Sequence, residues 1–237
     1  MFSQVQRVVA LHQEVETALR LVQKGLHDLQ AVSSANDFYF SALLLLATGV
    51  ERLEKSIYCL RVLEQSGSFP KPRTGFFAGR KGHNIQGLLD WIMIECYDPV
   101  YRAIPAAEQD HNMINTDATL KTIIQVLSDF GQSARYYHLD VVLDDDRGLE
   151  DPEVVWQRLE LEILKAEPDW RTLLAPGRRE DVYGMINRGL VVPIERLIRA
   201  FCRLFTLGPL GAEGRRLSGI LQPFLTMSDA ELGTTRY

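Results

Sequence analysis

The sequence predicts an all-α protein, an antiparallel helical bundle, and three observations carry that expectation. Apolar residues recur at alternating steps of three and four through four extended segments, which places them on single helix faces. Glycine and proline gather in short stretches between those segments, where they punctuate helices. No stretch alternates apolar and polar for long enough to make a strand; residues 141–143 come nearest.

The first helix follows from Val5, Val8, His12, Val15, Leu19, Val22, Leu26 and Leu29, a stripe that only His12 interrupts. A short turn over residues 31–36 comes next. Ser34 with Asp37 three residues on has capping-box spacing, and Asn36 is a second N-cap candidate. The second helix is expected over residues 37–64, with Tyr39, Leu43, Leu46, Val50, Leu53, Ile57 and Leu60 on one face. So short a turn between two long helices folds them back antiparallel. Gly25 and Gly49 inside them read as points of close packing.

Residues 67–82 hold Pro70, Pro72 and several glycines and are expected to form a loop. A short apolar helix follows over residues 84–97 and stops at Asp98-Pro99; residues 100–115 read as irregular. Thr116 is the expected N-cap of a third long helix, whose stripe is Leu120, Ile123, Leu127, Phe130, Ala134, Tyr137 and Val141. Asp151-Pro152 starts a further helix, with proline at its first position and Val155, Leu159 and Ile163 inward. The fourth long helix is expected over residues 180–207, with Pro193 kinking it and Gly208-Pro209 ending it. A last helix, residues 212–225, leads into a polar tail expected to fray. We read residues 1–237 as a single helical domain, with a core at about 1–207 and a C-terminal helix and tail at 208–237.

Composition sets bounds on function. The 237 residues are 46% hydrophobic and 24% charged, which suits a globular chain. The net charge of −5 argues against bulk nucleic-acid binding but leaves room for a local basic patch. Cys59, Cys96 and Cys202 are scattered and form no CxxC pair, so neither a zinc site nor a disulfide framework is expected. A reducing cytoplasm is the simple expectation. The most apolar run, residues 38–50, is too short for a membrane span, and residues 1–7 lack a signal-peptide pattern. We therefore expect a cytoplasmic protein with no membrane partner, no metal and no cofactor.

Five groups are candidates for chemistry. Lys71, Arg73, Arg80, Lys81 and His83 form a basic loop with no acid among them, interleaved with Phe76 and Phe77. Guanidinium and ammonium groups pair with phosphate, and aromatic rings stack on bases, so this loop suits a nucleotide or RNA. It carries no GK[ST] ending and is not a Walker loop; a solvated basic loop is the alternative. The five histidines, His12, His27, His83, His111 and His138, lack metal-ligand spacing and read as structural or surface groups. Asp144, Asp145 and Asp146 read as a solvated turn. Arg196, Arg199 and Arg203 share a helix face and read as an exposed row, or as a partner or RNA surface. Arg135 and His138, three apart near the end of the third long helix, share a face on which they could act as charge clamp and general acid/base. An interhelical polar cluster is the alternative there.

Three short motifs give the chain a family resemblance. Residues 43–46 are four leucines followed by Glu51, Glu54 and Lys55; Lys81-Gly82-His83-Asn84-Ile85 leads into Leu88-Leu89; and Ala134-Arg135-Tyr136 lies on a later helix. In these respects the segment of about residues 37–142 resembles the HEPN superfamily of helical proteins. The resemblance implies a core of four or more helices, often a homodimer, often in defence or toxin–antitoxin type systems. It also implies, for many members, a metal-independent endoribonuclease in which four to six residues intervene between an Arg and a His on a late helix. Arg135 and His138 have only two residues between them and so depart from that pattern. Arg7 and His12 fit its spacing but lie on the first helix. The expected function is accordingly a binding or regulatory protein. The alternatives are an endoribonuclease using Arg135 and His138 across a dimer interface, or a scaffold for a protein partner.

Overall fold

The computed structural model describes residues 2–78, 83–148, 150–168, 170–173 and 177–237. Within them the regular secondary structure is helical, and the only β-type pairing is an isolated bridge between Ser33 and Asn36. The expected all-α class is therefore observed.

Helices α1 (Gln4–Gln30) and α2 (Phe40–Ser66) form the spine. Gly25 of α1 lies against Leu46 of α2, while Gly49 lies against Val22 and Ala18. One number falls as the other rises, so the pair is antiparallel, and both glycines are points of close approach as expected. Ser3 opens α1 with a capping box: its hydroxyl accepts from the Gln6 N–H, and the Gln6 side chain accepts from the Ser3 N–H.

The expected start of α2 needs correction. The helix begins at Phe40, after a turn in which Ser33 and Asn36 exchange backbone hydrogen bonds of 2.8 and 3.1 Å. Ser34 and Asp37 do not cap it; the Ser34 hydroxyl pairs instead with Glu180. The α1 stripe also stops short of its N-terminus. Val5 is 73% exposed.

Helix α3 (Ile85–Glu95) starts at Asn84, whose side chain accepts from the Gly87 N–H. Residues 100–115 are not irregular. They hold α4 (Pro99–Arg102) and α5 (Pro105–Thr116), each with proline in its first turn. Because Thr116 completes α5, the cap of α6 (Ala118–Gln132) is Asp117, which accepts from the Leu120 N–H at 2.9 Å. The third long helix is shorter than expected. Ser133 takes an extended φ of −159°, a single 3₁₀ turn follows, and α7 (Tyr137–Val142) is a separate piece. Val141, expected inward, is exposed.

Helix α8 (Pro152–Ala166) has the predicted Asp151 cap and proline start. It buries Leu159 and Ile163 along with Trp156, while Val155 is half-buried. A short α9 (Trp170–Leu173) precedes α10 (Arg179–Leu207), which runs through Pro193 as one helix. The expected last helix is two, α11 (Gly211–Arg215) and α12 (Ser218–Leu225).

The segment after α12 does not fray. Leu232 is buried, the Gly233 N–H donates to Glu195 Oε2 at 2.6 Å, and the Tyr237 hydroxyl donates to Glu195 Oε1 at 2.7 Å. A buried carboxylate on α10 is thus satisfied by the returning chain. One buried apolar cluster runs from Val15 through Phe130 and Phe201 to Phe224 and Leu232, so α12 and the segment beyond it share the core of the bundle.

Candidate functional site

The basic loop is anchored by its aromatic residues. Tyr58 on α2 and Trp91 on α3 meet edge to face, with centroids 4.7 Å apart. Phe76 packs onto both, 5.4 Å from Tyr58 and 6.4 Å from Trp91, and Phe77 lies 5.9 Å from Tyr58. Gly75 makes this possible. It has φ +53°, and a Cβ there would lie 2.7 Å from the Tyr58 hydroxyl oxygen. The rings expected to stack on bases therefore serve first to hold the loop, although Phe77 keeps 37% of its surface exposed.

The cations divide. Lys71 and Arg73 are exposed, and Arg73 has φ +60°. Arg80 and Lys81 lie outside the described residues. His83 is exposed at the loop's end, and its Nδ1 lies 3.1 Å from Glu51 Oε2, while Lys55 pairs with the other Glu51 oxygen at 2.7 Å. The Lys55 ammonium also lies 5.7 Å from the Phe77 ring centroid. One turn from this network, Glu54 is fully buried, and among the described residues neither of its carboxyl oxygens has a hydrogen-bond partner. Burial, with Glu51 and Asp90 nearby, raises its pKa well above the usual carboxylate range.

A groove of about 410 Å³ opens between α1, α2 and this loop. Its walls include Leu11, Cys59, Phe69 and Phe77, and Arg7 and Lys71 both border it. The Arg7 guanidinium lies 4.5 Å from the Phe69 ring centroid. Glu14 is the carboxylate on the rim, and it pairs with Arg52 at 3.2 Å. Burial pushes the Cys59 thiol up to about 12, so the sulfur contributes as an apolar neutral group rather than as a thiolate. Sequence reasoning named Lys71 and Phe77 but missed Arg7, Phe69 and Cys59 as their companions. The gathering depends on where the loop after α2 returns along α1.

Arg135 and His138 do not lie on one helix, because Arg135 belongs to the 3₁₀ turn and His138 to α7. Arg135 lies in the 3₁₀ turn with its guanidinium 5.0 Å from the Tyr136 ring centroid, and His138 is exposed at the start of α7. Among the described residues no hydrogen bond or ion pair joins them to each other. His12 is half-buried, with its Nε2 unpartnered inside the protein.

The arginine row is not an exposed face. Arg199 is buried and donates to the Met227 carbonyl at 2.9 Å and to Asp229 at 2.6 Å. Arg203, half-buried like Arg196, donates to the buried Asp110 at 2.6 Å. The acidic turn is tied by Arg147, which reaches Asp140 at 3.0 Å and Asp145 at 2.8 Å. Among the described residues no three His, Cys, Asp or Glu side chains converge as metal ligands, and no helix is long and apolar enough to cross a membrane. No protein-family model, curated protein or solved structure matches this chain.

Proposed function

We propose that this protein is a nucleotide-binding regulatory protein of HEPN-like type, and that the groove between α1, α2 and the basic loop receives the nucleotide. One observation carries the reading: Arg7 and Lys71 border the same groove that Phe69 and Phe77 wall. Two cations suit the charge of a phosphate chain, and two rings suit the face of a base. The motifs around Glu51, His83 and Arg135 support the HEPN-like assignment, and with it come a homodimer and a regulatory part in a defence or toxin–antitoxin type system.

Binding is favoured over endoribonuclease action, because Arg135 is stacked on Tyr136 and His138 stands on a separate helix. Titration calorimetry with ATP and with a short single-stranded RNA tests the proposal. Saturable binding of ATP is expected, weakened about tenfold or more in Arg7→Ala/Lys71→Ala, since each charge-assisted contact is worth roughly 1.5–3 kcal/mol. Equal affinity in wild type and variant, or no binding, rejects the groove. Tight RNA binding with no ATP binding moves the ligand class to RNA.

A further inference from the structure

The groove between α1, α2 and the basic loop has a positive end and a negative end. Arg7, Leu11 and Glu14 stand at steps of four and three on one face of α1, and all three line the groove. Seven residues of helix separate the cation from the acid, a rise of about 10.5 Å. Arg7 lies against Phe69, which follows the end of α2 by three residues. Glu14 instead meets α2 within its length, where its Oε2 pairs with Arg52 at 3.2 Å. Phe77 lies near Lys55, three residues along from Arg52, with 5.7 Å between the ammonium and the ring centroid. The acid and the part-exposed Phe77 ring thus belong to one stretch of α2, and Arg7 marks the other end.

Among the described walls of the groove, Glu14 supplies the only side-chain oxygens. Its side chain is 42% exposed, so a ligand can reach it. Arg52 engages Oε2, and Oε1 has no hydrogen-bond partner among the described residues. Each carboxylate oxygen has two lone-pair directions, so Oε2 can hold Arg52 and still accept a second N–H. An ionised carboxylate accepts only, and it repels phosphates and neighbouring acceptors. Phosphates are therefore drawn to the Arg7 end, and the base edge is what reaches Glu14. Bases differ in what that edge offers. Guanine presents two adjacent donors, N1–H and the 2-amino group. The amino groups of adenine and cytosine each sit beside a ring-nitrogen acceptor, and the N3–H of uracil is flanked by two carbonyls. A carboxylate matches guanine best, through two charge-assisted hydrogen bonds.

We infer that Glu14 makes this groove selective for guanine nucleotides. The base lies on Phe77, its N1–H and 2-amino group donate to the Glu14 carboxylate, and the phosphates extend toward Arg7 and Lys71. Guanine selectivity rests on the groove holding a nucleotide, as proposed above.

Titration calorimetry on the full chain with GTP, ITP and ATP tests it. ITP keeps N1–H and lacks the 2-amino group. GTP is expected to bind wild type about tenfold or more tighter than ATP, with ITP between them and ATP still saturable. Glu14→Gln is expected to bring the ratio of GTP to ATP affinity to about one, chiefly by weakening GTP. The Glu14–Arg52 pair is part-exposed, so the variant is expected to unfold thermally much as wild type does. Arg52→Gln breaks the same pair but keeps the acid, and it is expected to retain the preference for GTP. If no nucleoside triphosphate binds, the groove itself is rejected, and guanine selectivity with it. If GTP and ATP bind wild type equally, and both weaken in Arg7→Ala/Lys71→Ala, the groove stands and the role of Glu14 is overturned. Equal losses of GTP and ATP in Glu14→Gln, or loss of the preference in Arg52→Gln as well, also overturn it, because a merely structural role weakens both ligands alike.

Discussion

Arg203 of α10 donates to Asp110 of α5 at 2.6 Å, and the Asp110 side chain is almost wholly buried. Burial raises the Asp110 carboxyl above its usual range, and the Arg203 hydrogen bond offsets this only in part. The hydroxyls of Tyr97 and Tyr101 and one Asp110 oxygen lie buried without partners among the described residues, and Asp110 and Arg203 both influence the two phenols. Removing one partner of such a pair leaves the other charge stranded. Arg203→Ala is expected to cost about 3–5 kcal/mol in urea unfolding, whereas Arg203→Met with Asp110→Leu is expected to recover most of it. A loss below about 1 kcal/mol for Arg203→Ala contradicts a buried pair.

The helix spine makes a sharper prediction. A Cβ at Gly49 would lie 2.9 Å from the Val22 backbone nitrogen and 3.0 Å from the Ala18 carbonyl oxygen, and backbone atoms cannot rotate away. Gly49→Ala is expected to destabilise by about 1–3 kcal/mol through overpacking. Gly184, on α10, has nothing within 4 Å of its Cβ position. Gly184→Ala is expected to stabilise by about 0.5–1 kcal/mol. Thermal unfolding of the two variants gives opposite signs if α1 and α2 are packed as described.

Glu54 gives the pH dependence. Its folded carboxyl holds a proton well above the usual range, so the folded state binds that proton where the unfolded chain has released it. The group's contribution to stability is complete below the unfolded carboxylate range and declines as pH rises from there toward the folded value. The slope is about 1.4 kcal/mol per pH unit for one proton. Glu54→Gln removes that slope. Its unfolding midpoint is expected to match wild type near pH 4 and to exceed it increasingly by pH 8. A gap that does not widen with pH shows that Glu54 is ionised in the folded protein.

The thiols should be inert. Burial pushes Cys59 and Cys96 up to about 12, and Cys202 higher. Native protein at pH 8 is expected to react slowly with an aromatic disulfide reagent, and denatured protein to give three fast equivalents. Fast reaction of Cys59 in the native state would mean that the groove opens more widely than the structure shows.

The apolar stripes made the four long helical segments legible, and they placed most of the core in advance: Val15 to Leu29, Leu43 to Leu60, Leu120 to Phe130 and Ile186 to Leu204 follow the spacing. Termini were less legible because caps compete. Thr116 and Asp117 are both good caps, and only the presence of α5 decides between them. Short helices at Pro99 and Pro105 were hidden because Asp98-Pro99 reads equally as a stop and as a start. The third helix was extended too far because Ala134 and Tyr137 keep the spacing that the backbone at Ser133 breaks. For the site, Lys71 and Phe77 were visible as a basic, aromatic loop. Arg7 was not, since its place beside Lys71 depends on the path of the loop back along α1, which no local motif encodes. Arg199 and Arg203 looked solvated because their partners, Met227, Asp229 and Asp110, are distant in sequence.

The central claim is that a nucleotide seats in the groove between α1, α2 and the basic loop. Hydrogen–deuterium exchange with and without saturating ATP tests it most directly. Protection is expected in residues 69–77 and in residues 7–14, with a smaller effect in Arg7→Ala/Lys71→Ala. Unchanged exchange in both stretches, or protection confined to other parts of the chain, contradicts it.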